Sequence, residues 1–86
     1  MSELRYTVLL HKNQETPGYS VIVPELPGCF SQGDDLEDTL ANAKEAIECH
    51  LGALAKDREE VPVEHEPFVV ASVGVNTPEV KKKRTG

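Results

Sequence analysis

One long amphipathic helix is the feature of the sequence that most limits the possible folds. Apolar residues recur at spacings of 4, 3, 4, 4 and 3, which keeps their side chains within a stripe about 80° wide. Asp35 stands where an N-cap is expected, and Asp38 adds negative charge to the first turn, where the helix dipole favours it. We therefore expect a helix that begins after Asp35, ends near Arg58 and packs this stripe on a sheet. The stripe consists of Leu36, Leu40, Ala43, Ile47, Leu51 and Leu54.

Residues on both sides of this helix follow the pattern of β-strands. Residues 4–11 place apolar side chains at every second position, and residues 19–23 resume strand periodicity after a turn-forming stretch. Pro24 and the Pro27-Gly28 pair end the second run, so residues 29–32 are expected as a short third strand. Residues 68–75 are rich in valine and are expected as a fourth. The predicted order is β-β-β-α-β, an α+β fold with an antiparallel sheet covered on one face by the helix.

The length of the chain permits one small domain. The chain has 86 residues, of which 38% are hydrophobic. The free energy gained by burying them exceeds only slightly the roughly 1.5 kcal/mol per residue of conformational entropy that folding costs. Residues 1–76 are expected to form the domain. Residues 77–86, which include Lys81-Lys82-Lys83-Arg84, are expected to be a mobile basic tail in solvent. Association would bury apolar surface that one copy exposes, so we expect a homodimer or homotetramer.

Nothing in the sequence indicates export or a membrane partner. The N-terminus lacks the apolar segment of a secretory signal, and the apolar runs are too short to cross a bilayer. The two cysteines, Cys29 and Cys49, have no CxxC spacing. We therefore expect a cytoplasmic protein with two free thiols.

The charge distribution is strongly asymmetric. The net charge is −6, but residues 1–80 contain five basic and fifteen acidic residues, because four basic residues lie at 81–84. The predicted outer face of the helix carries Asp38, Glu45 and Glu48. Such a surface repels nucleic-acid phosphates and attracts basic proteins, so we expect no specific nucleic-acid binding.

The polar residues do not form a pattern typical of catalysis or of metal binding. Asp34, Asp35, Glu37 and Asp38 lie at a helix N-terminus, where capping explains them. The histidines and cysteines lack the spacing of a zinc site, and no glycine-rich phosphate loop is present. We expect no catalytic residue, no metal site and no cofactor.

The stretch from Tyr19 to Asp38 resembles the N-terminal domain of HicB-type antitoxins. The specific features are P-E-L-P-G-C at 24–29, G-D at 33–34 and A-N-A-K-E-A-I at 41–47. The resemblance covers roughly residues 4–75. It implies a partial RNase H-like fold without nuclease activity, which binds and masks a small basic RNA-cleaving toxin of the HicA type. Full-length members carry a second, DNA-binding domain, and because only eleven residues follow Val75 no such domain is expected here.

Two parts of the chain are the expected toxin-binding surface. The outer helix face supplies charge through Asp38, Glu45 and Glu48, and the bend after the second strand shapes an adjacent contact. The residues of that bend are Pro24, Glu25, Leu26, Pro27 and Gly28. Other functions stay open on the sequence: a residual metal-dependent nuclease, which would need converging carboxylates, an orphan structural oligomer, or a small-ligand binder.

Overall fold

A computed structural model describes residues 3–64, 68–79 and 81 of the chain. They contain, in chain order, strands β1 (Leu9–Lys12), β2 (Tyr19–Ile22) and β3 (Phe30–Gly33), followed by helix α1 (Leu36–Lys56). The strands form an antiparallel sheet in the order β1-β2-β3, and α1 packs on β3 and β2. This arrangement confirms the α+β class.

Strands β1 and β2 are shorter than the sequence predicts, because the loop after β2 engages the backbone of Val23, whereas β3 has the predicted length and is shifted by one residue. Leu9 pairs with Ile22 at the end of the β1–β2 ladder. The next residue, Val23, donates its N–H to the Cys29 carbonyl at 3.2 Å and accepts from the Leu26 N–H at 2.9 Å. Residues 4–8 therefore have no strand to pair with and lie outside the ladder, although the sequence predicts β1 over residues 4–11.

Helix α1 begins and ends close to the predicted positions. Asp35 is the N-cap: its Oδ1 accepts from the Asp38 N–H at 2.7 Å, and Asp38 Oδ2 accepts from the Asp34 N–H at 2.9 Å. These bonds satisfy two backbone donors near the start of the helix. At the other end Asp57 is the C-cap, and Arg58 has a φ of 60°, which is incompatible with continuing a right-handed helix.

Close contact at one point holds α1 against β3. A side chain at Gly33 would place its Cβ 2.5 Å from the backbone nitrogen of Thr39, so only glycine allows the two segments to approach so closely. Thr39 is fully buried, and its Oγ1 donates to the Asp35 carbonyl at 2.7 Å. One turn later, the Asn42 amide donates to the carbonyl of Gln32 at 2.7 Å, at the edge of β3.

The core lies between α1, β2 and the loop that follows β2. Its buried apolar residues are Val21, Val23, Leu26, Cys29 and Ala43. Within the predicted helix stripe Ala43 is buried, whereas Leu36 and Leu40 are 50% and 43% exposed. The remaining stripe residues, Ile47, Leu51 and Leu54, are half-buried. Since α1 lies over β3 and β2, the side of the helix next to residues 3–8 stays open.

The prediction of a fourth strand over residues 68–75 is wrong. Residues 68–79 contain neither strand nor helix, and all of them are exposed. A strand requires a neighbour for its backbone groups, and these residues have no ladder in the described chain. We call residues 68–75 the C-terminal arm. The predicted mobile tail, residues 77–86, lies largely outside the described residues.

No helix in the described part of the chain combines the length and the apolar character needed to cross a membrane.

Candidate protein-binding surface

The acidic helix face, defined by Asp38, Glu45 and Glu48, is exposed as predicted. Asp38 is engaged in the helix cap. Within residues 3–64, 68–79 and 81 the only ion pair joins Arg5 to Glu3 at 3.8 Å, so no described cation neutralises Glu45 or Glu48. An exposed pair of carboxylates of this kind attracts cationic side chains of another molecule.

The three acids do not form one compact cluster. Asp38 and Glu48 are ten residues apart, which is about 15 Å along the helix axis. Asp38 lines a shallow depression with residues of the β1–β2 turn, including Asn13 and Pro17. Glu48 lies on the rim of a different groove. A partner that contacts all three acids must therefore lie along about three turns of the helix.

The groove beside Glu48 lies between α1 and residues 3–8. We call it the helix groove. Its volume is about 620 Å³. Much of its lining is apolar, whereas Arg5, Lys44 and Glu48 place charges around it. The apolar lining residues are Leu4, Tyr6, Val8, Leu40, Ala43, Ile47 and Leu51. It exists because α1 lies over β3 and β2, so that the sheet does not cover the side of the helix next to residues 3–8.

The β2–β3 loop, residues 24–28, is a compact turn anchored by one leucine. Leu26 is 0% exposed, and its carbonyl accepts from the Cys29 N–H at 2.9 Å. Gly28 has a φ of 86°, which glycine adopts without strain. Pro27 and Gly28 are exposed. Leu26 thus belongs to the core and shapes the loop, while Pro27 and Gly28 are the members of this predicted site that face solvent.

The loop lies closer to Glu48 than to Asp38 in the arrangement of the core. Val23, Leu26 and Cys29 pack against the second half of α1, where Ile47 and Leu51 flank the position of Glu48. The structure therefore places the loop and Glu48 in the same half of the molecule, and Asp38 in the other half.

A polar contact that the sequence analysis missed fastens the chain after α1 to its N-terminal residues. The Tyr6 hydroxyl donates to the Pro62 carbonyl. Glu64 accepts from the Thr7 N–H at 2.9 Å and from Thr7 Oγ1 at 2.8 Å. Burial, together with the nearby carboxylates of Glu25 and Glu64, raises the pKa of Tyr6. No sequence motif marks this contact, because it joins residues more than fifty positions apart.

The two cysteines differ in exposure and in reactivity. Cys29 is buried, Cys49 is exposed, and both are free. Burial raises the pKa of Cys29, and the neighbouring Cys49 raises it further, which makes Cys29 a poor nucleophile. Among the described residues no three histidine, cysteine, aspartate or glutamate side chains lie close enough to hold a metal ion.

Comparisons with known proteins identify the family of the chain. Residues 6–82 match the family model of the HicB-like antitoxin of bacterial toxin-antitoxin systems. The chain is 38% identical over 82 residues to a 14.9 kDa protein of Haemophilus phage HP1, covering 83% of this chain and 60% of the phage protein. It is 43% identical over 60 residues to a UPF0150 protein of Thermoplasma acidophilum, covering 69% of this chain and 84% of that protein.

A UPF0150 protein of Synechocystis is 44% identical over 59 residues, covering 69% of this chain and 73% of the relative. The family match extends over most of the chain, from the residues before β1 to beyond the C-terminal arm. The chain therefore belongs to the HicB-like antitoxin family of bacterial toxin-antitoxin systems.

Proposed function

We propose that this chain binds a small, basic, RNA-cleaving toxin of the HicA type and masks its active surface. Family membership supports the role of an antitoxin and favours binding over catalysis. The observation that carries the proposal is the acidic helix face, on which Glu45 and Glu48 have no described cationic partner. A protein that grips RNA presents basic surface, and this face is its electrostatic complement.

The proposed contact runs along the acidic helix face and reaches the exposed part of the β2–β3 loop. Glu45 and Glu48 supply charge. The exposed Pro27 has a φ fixed by its ring and loses little conformational entropy on binding, and the exposed Gly28 follows it. Because Asp38 is already bonded within the helix cap, it contributes less than the other two acids. We propose no contact between residues 3–64 and operator DNA, because the acidic surface of these residues repels phosphate.

The proposal includes self-association and action in the cytoplasm, where mRNA is the target of such a toxin. The partial RNase H-like origin implied by the resemblance is part of the same proposal. The nuclease alternative gains no support from the described residues, because the acids of the first helical turn are used in capping.

The test measures capture of a purified, catalytically inactive HicA-type toxin by isothermal titration calorimetry at several salt concentrations. Glu45→Lys with Glu48→Lys should weaken binding about tenfold or more at low salt and flatten the dependence on salt. Glu15→Lys with Glu60→Lys is the matched control, because both residues are exposed and lie off the helix face. The control should bind like the parent chain.

Unchanged affinity in the helix-face variant would move the contact to the edge of the sheet. The absence of any binding by the parent chain would contradict the proposed partner. An assay of the purified chain on RNA and RNA–DNA hybrids, with magnesium or manganese, separates masking from catalysis. Cleavage that co-purifies with the chain would favour the nuclease alternative.

A further inference from the structure

The C-terminal arm is an apolar strand sequence that its own chain leaves in solvent. Val69, Val70, Val73 and Val75 are 87%, 77%, 83% and 76% exposed. Successive side chains of a strand point to opposite faces, so Val70 would lie on one face and Val69, Val73 and Val75 on the other. A strand that is apolar on both faces is stable when other elements cover both. The arm therefore requires covering surface that the described chain does not supply.

The position where the chain returns after α1 explains why the arm does not pair within its own chain. The contacts of Tyr6 with Pro62 and of Thr7 with Glu64 place the chain beside residues 6–7. Suppose a strand started beside Thr7 and ran parallel to the chain towards β1. It would reach Lys12, the last residue of β1, after five residues. Most of the arm, which begins four residues after Glu64, would run past the sheet.

Both β1 and β3 are edge strands of the sheet in the described chain, and an apolar groove lies on the β1 side. At the β3 edge, the Asn42 amide already bonds the Gln32 carbonyl at 2.7 Å. The β1 side has no comparable cover in the described chain. The helix groove on that side includes Leu4 and Leu40, which are 44% and 43% exposed. An added strand at this edge would bury both side chains.

We propose that two copies of the chain form a homodimer by reciprocal strand exchange. The arm of each copy adds to the open β1 edge of its partner, with the face that carries Val69 and Val73 over the helix groove. Each copy contributes one arm and one groove, so the interface is the same on both copies and closes after two. This inference rests on the self-association in the proposed function, and it names the segment and the surface that produce it.

Sedimentation equilibrium of the full chain tests the exchange. The parent chain should be a dimer that dissociates on dilution. Val69→Asp with Val73→Asp should raise the dissociation constant about tenfold or more, since it places two charges in a desolvated interface. Asn76→Asp with Thr77→Asp is the matched control, because it adds the same charges to the same segment outside the arm, and it should stay dimeric. Far-UV circular dichroism should show the α1 helix in both variants.

A second variant changes the helix groove instead of the arm. Leu40→Glu replaces an exposed helix residue with a good helix former, so the fold should survive. It should weaken the dimer as the arm variant does. Amide hydrogen exchange should show protection of residues 68–75 in the dimer that is lost on dilution.

Three results would overturn the inference. A parent chain that is monomeric at high concentration overturns it together with the proposed self-association. A dimer that both Val69→Asp with Val73→Asp and Leu40→Glu leave intact overturns the exchange alone. Arm amides that stay protected in a monomer would show a fourth strand within one chain. Toxin capture is measured separately, so failure of the proposed masking function is distinguishable from each of these.

Discussion

Strand β2 and the C-terminal arm form an instructive contrast. The four residues of β2, Tyr19–Ile22, include one serine, yet they occupy the centre of the sheet. The eight residues of the arm include four valines and a phenylalanine, which also favour strands, yet they form none. In this chain, the presence of neighbours decides whether a strand forms, and intrinsic propensity does not.

The reason lies in what each region finds within reach. β2 has β1 and β3 on its two sides, and Val21 of β2 is 1% exposed against α1. The arm has no strand beside it in the described chain. Propensity contributes up to about 1 kcal/mol per residue, whereas a missing partner leaves every backbone group of the strand to water.

The largest expected effect on stability comes from truncating the buried leucine of the β2–β3 loop. Leu26→Ala should lower the free energy of unfolding by about 2–5 kcal/mol, because Leu26 is fully buried. Val70→Ala in the arm should change it by less than about 0.5 kcal/mol in the monomer. Urea unfolding, followed by circular dichroism at low protein concentration, compares them. A large loss in Val70→Ala would show that the arm packs within its own chain.

A smaller contrast is expected between two glycines. Gly33→Ala should cost about 1–3 kcal/mol, because the new methyl group would lie 2.5 Å from the Thr39 nitrogen and force β3 and α1 apart. Gly74→Ala is the control in the arm, where an added Cβ meets nothing within 4 Å. Thermal unfolding of both variants measures the difference. Equal stability of the two would contradict the close approach of β3 to α1.

The smallest effect concerns Tyr6, whose hydroxyl bonds the Pro62 carbonyl in the segment between α1 and the arm. Since burial and two carboxylates raise the pKa of Tyr6, the folded state favours the protonated hydroxyl. The resulting stability is fully present below the ordinary tyrosine pKa of about 10 and is lost as the pH rises through the higher folded value. Tyr6→Phe should cost about 1 kcal/mol at neutral pH and flatten the alkaline fall.

Tyr19→Phe serves as the control for the alkaline measurement, because it removes the other tyrosine. It should retain the fall in stability above pH 10, measured by urea unfolding across the alkaline range. An alkaline fall that persists in Tyr6→Phe would assign the titration to another group.

Local patterns were sufficient to predict the first half of the fold. The spacing from Leu36 to Leu54 and the cap at Asp35 predict α1 to within two residues at both ends, because both depend on neighbours in sequence. The lengths of β1 and β2 were not predictable in this way. They depend on Val23, whose backbone bonds lie in the loop, and the expected fourth strand depends on a partner surface that periodicity does not report.

The candidate site was predictable in part. Helical periodicity places Glu45 and Glu48 in solvent, and the structure agrees. The burial of Leu26 follows from the tertiary position of the β2–β3 loop and has no local signal. The groove beside Glu48 was also missed, since it results from a helix that lies over two strands and leaves the third uncovered.

The bond from the Asn42 amide to the Gln32 carbonyl has a consequence for how many chains can join. A sheet that is open on both sides can add chains without limit, which is the route to fibres. On the β3 side of this sheet, one helix side chain takes up a backbone acceptor, so fewer groups are left there for a further strand to pair with. This contact favours addition at β1 and therefore a finite particle.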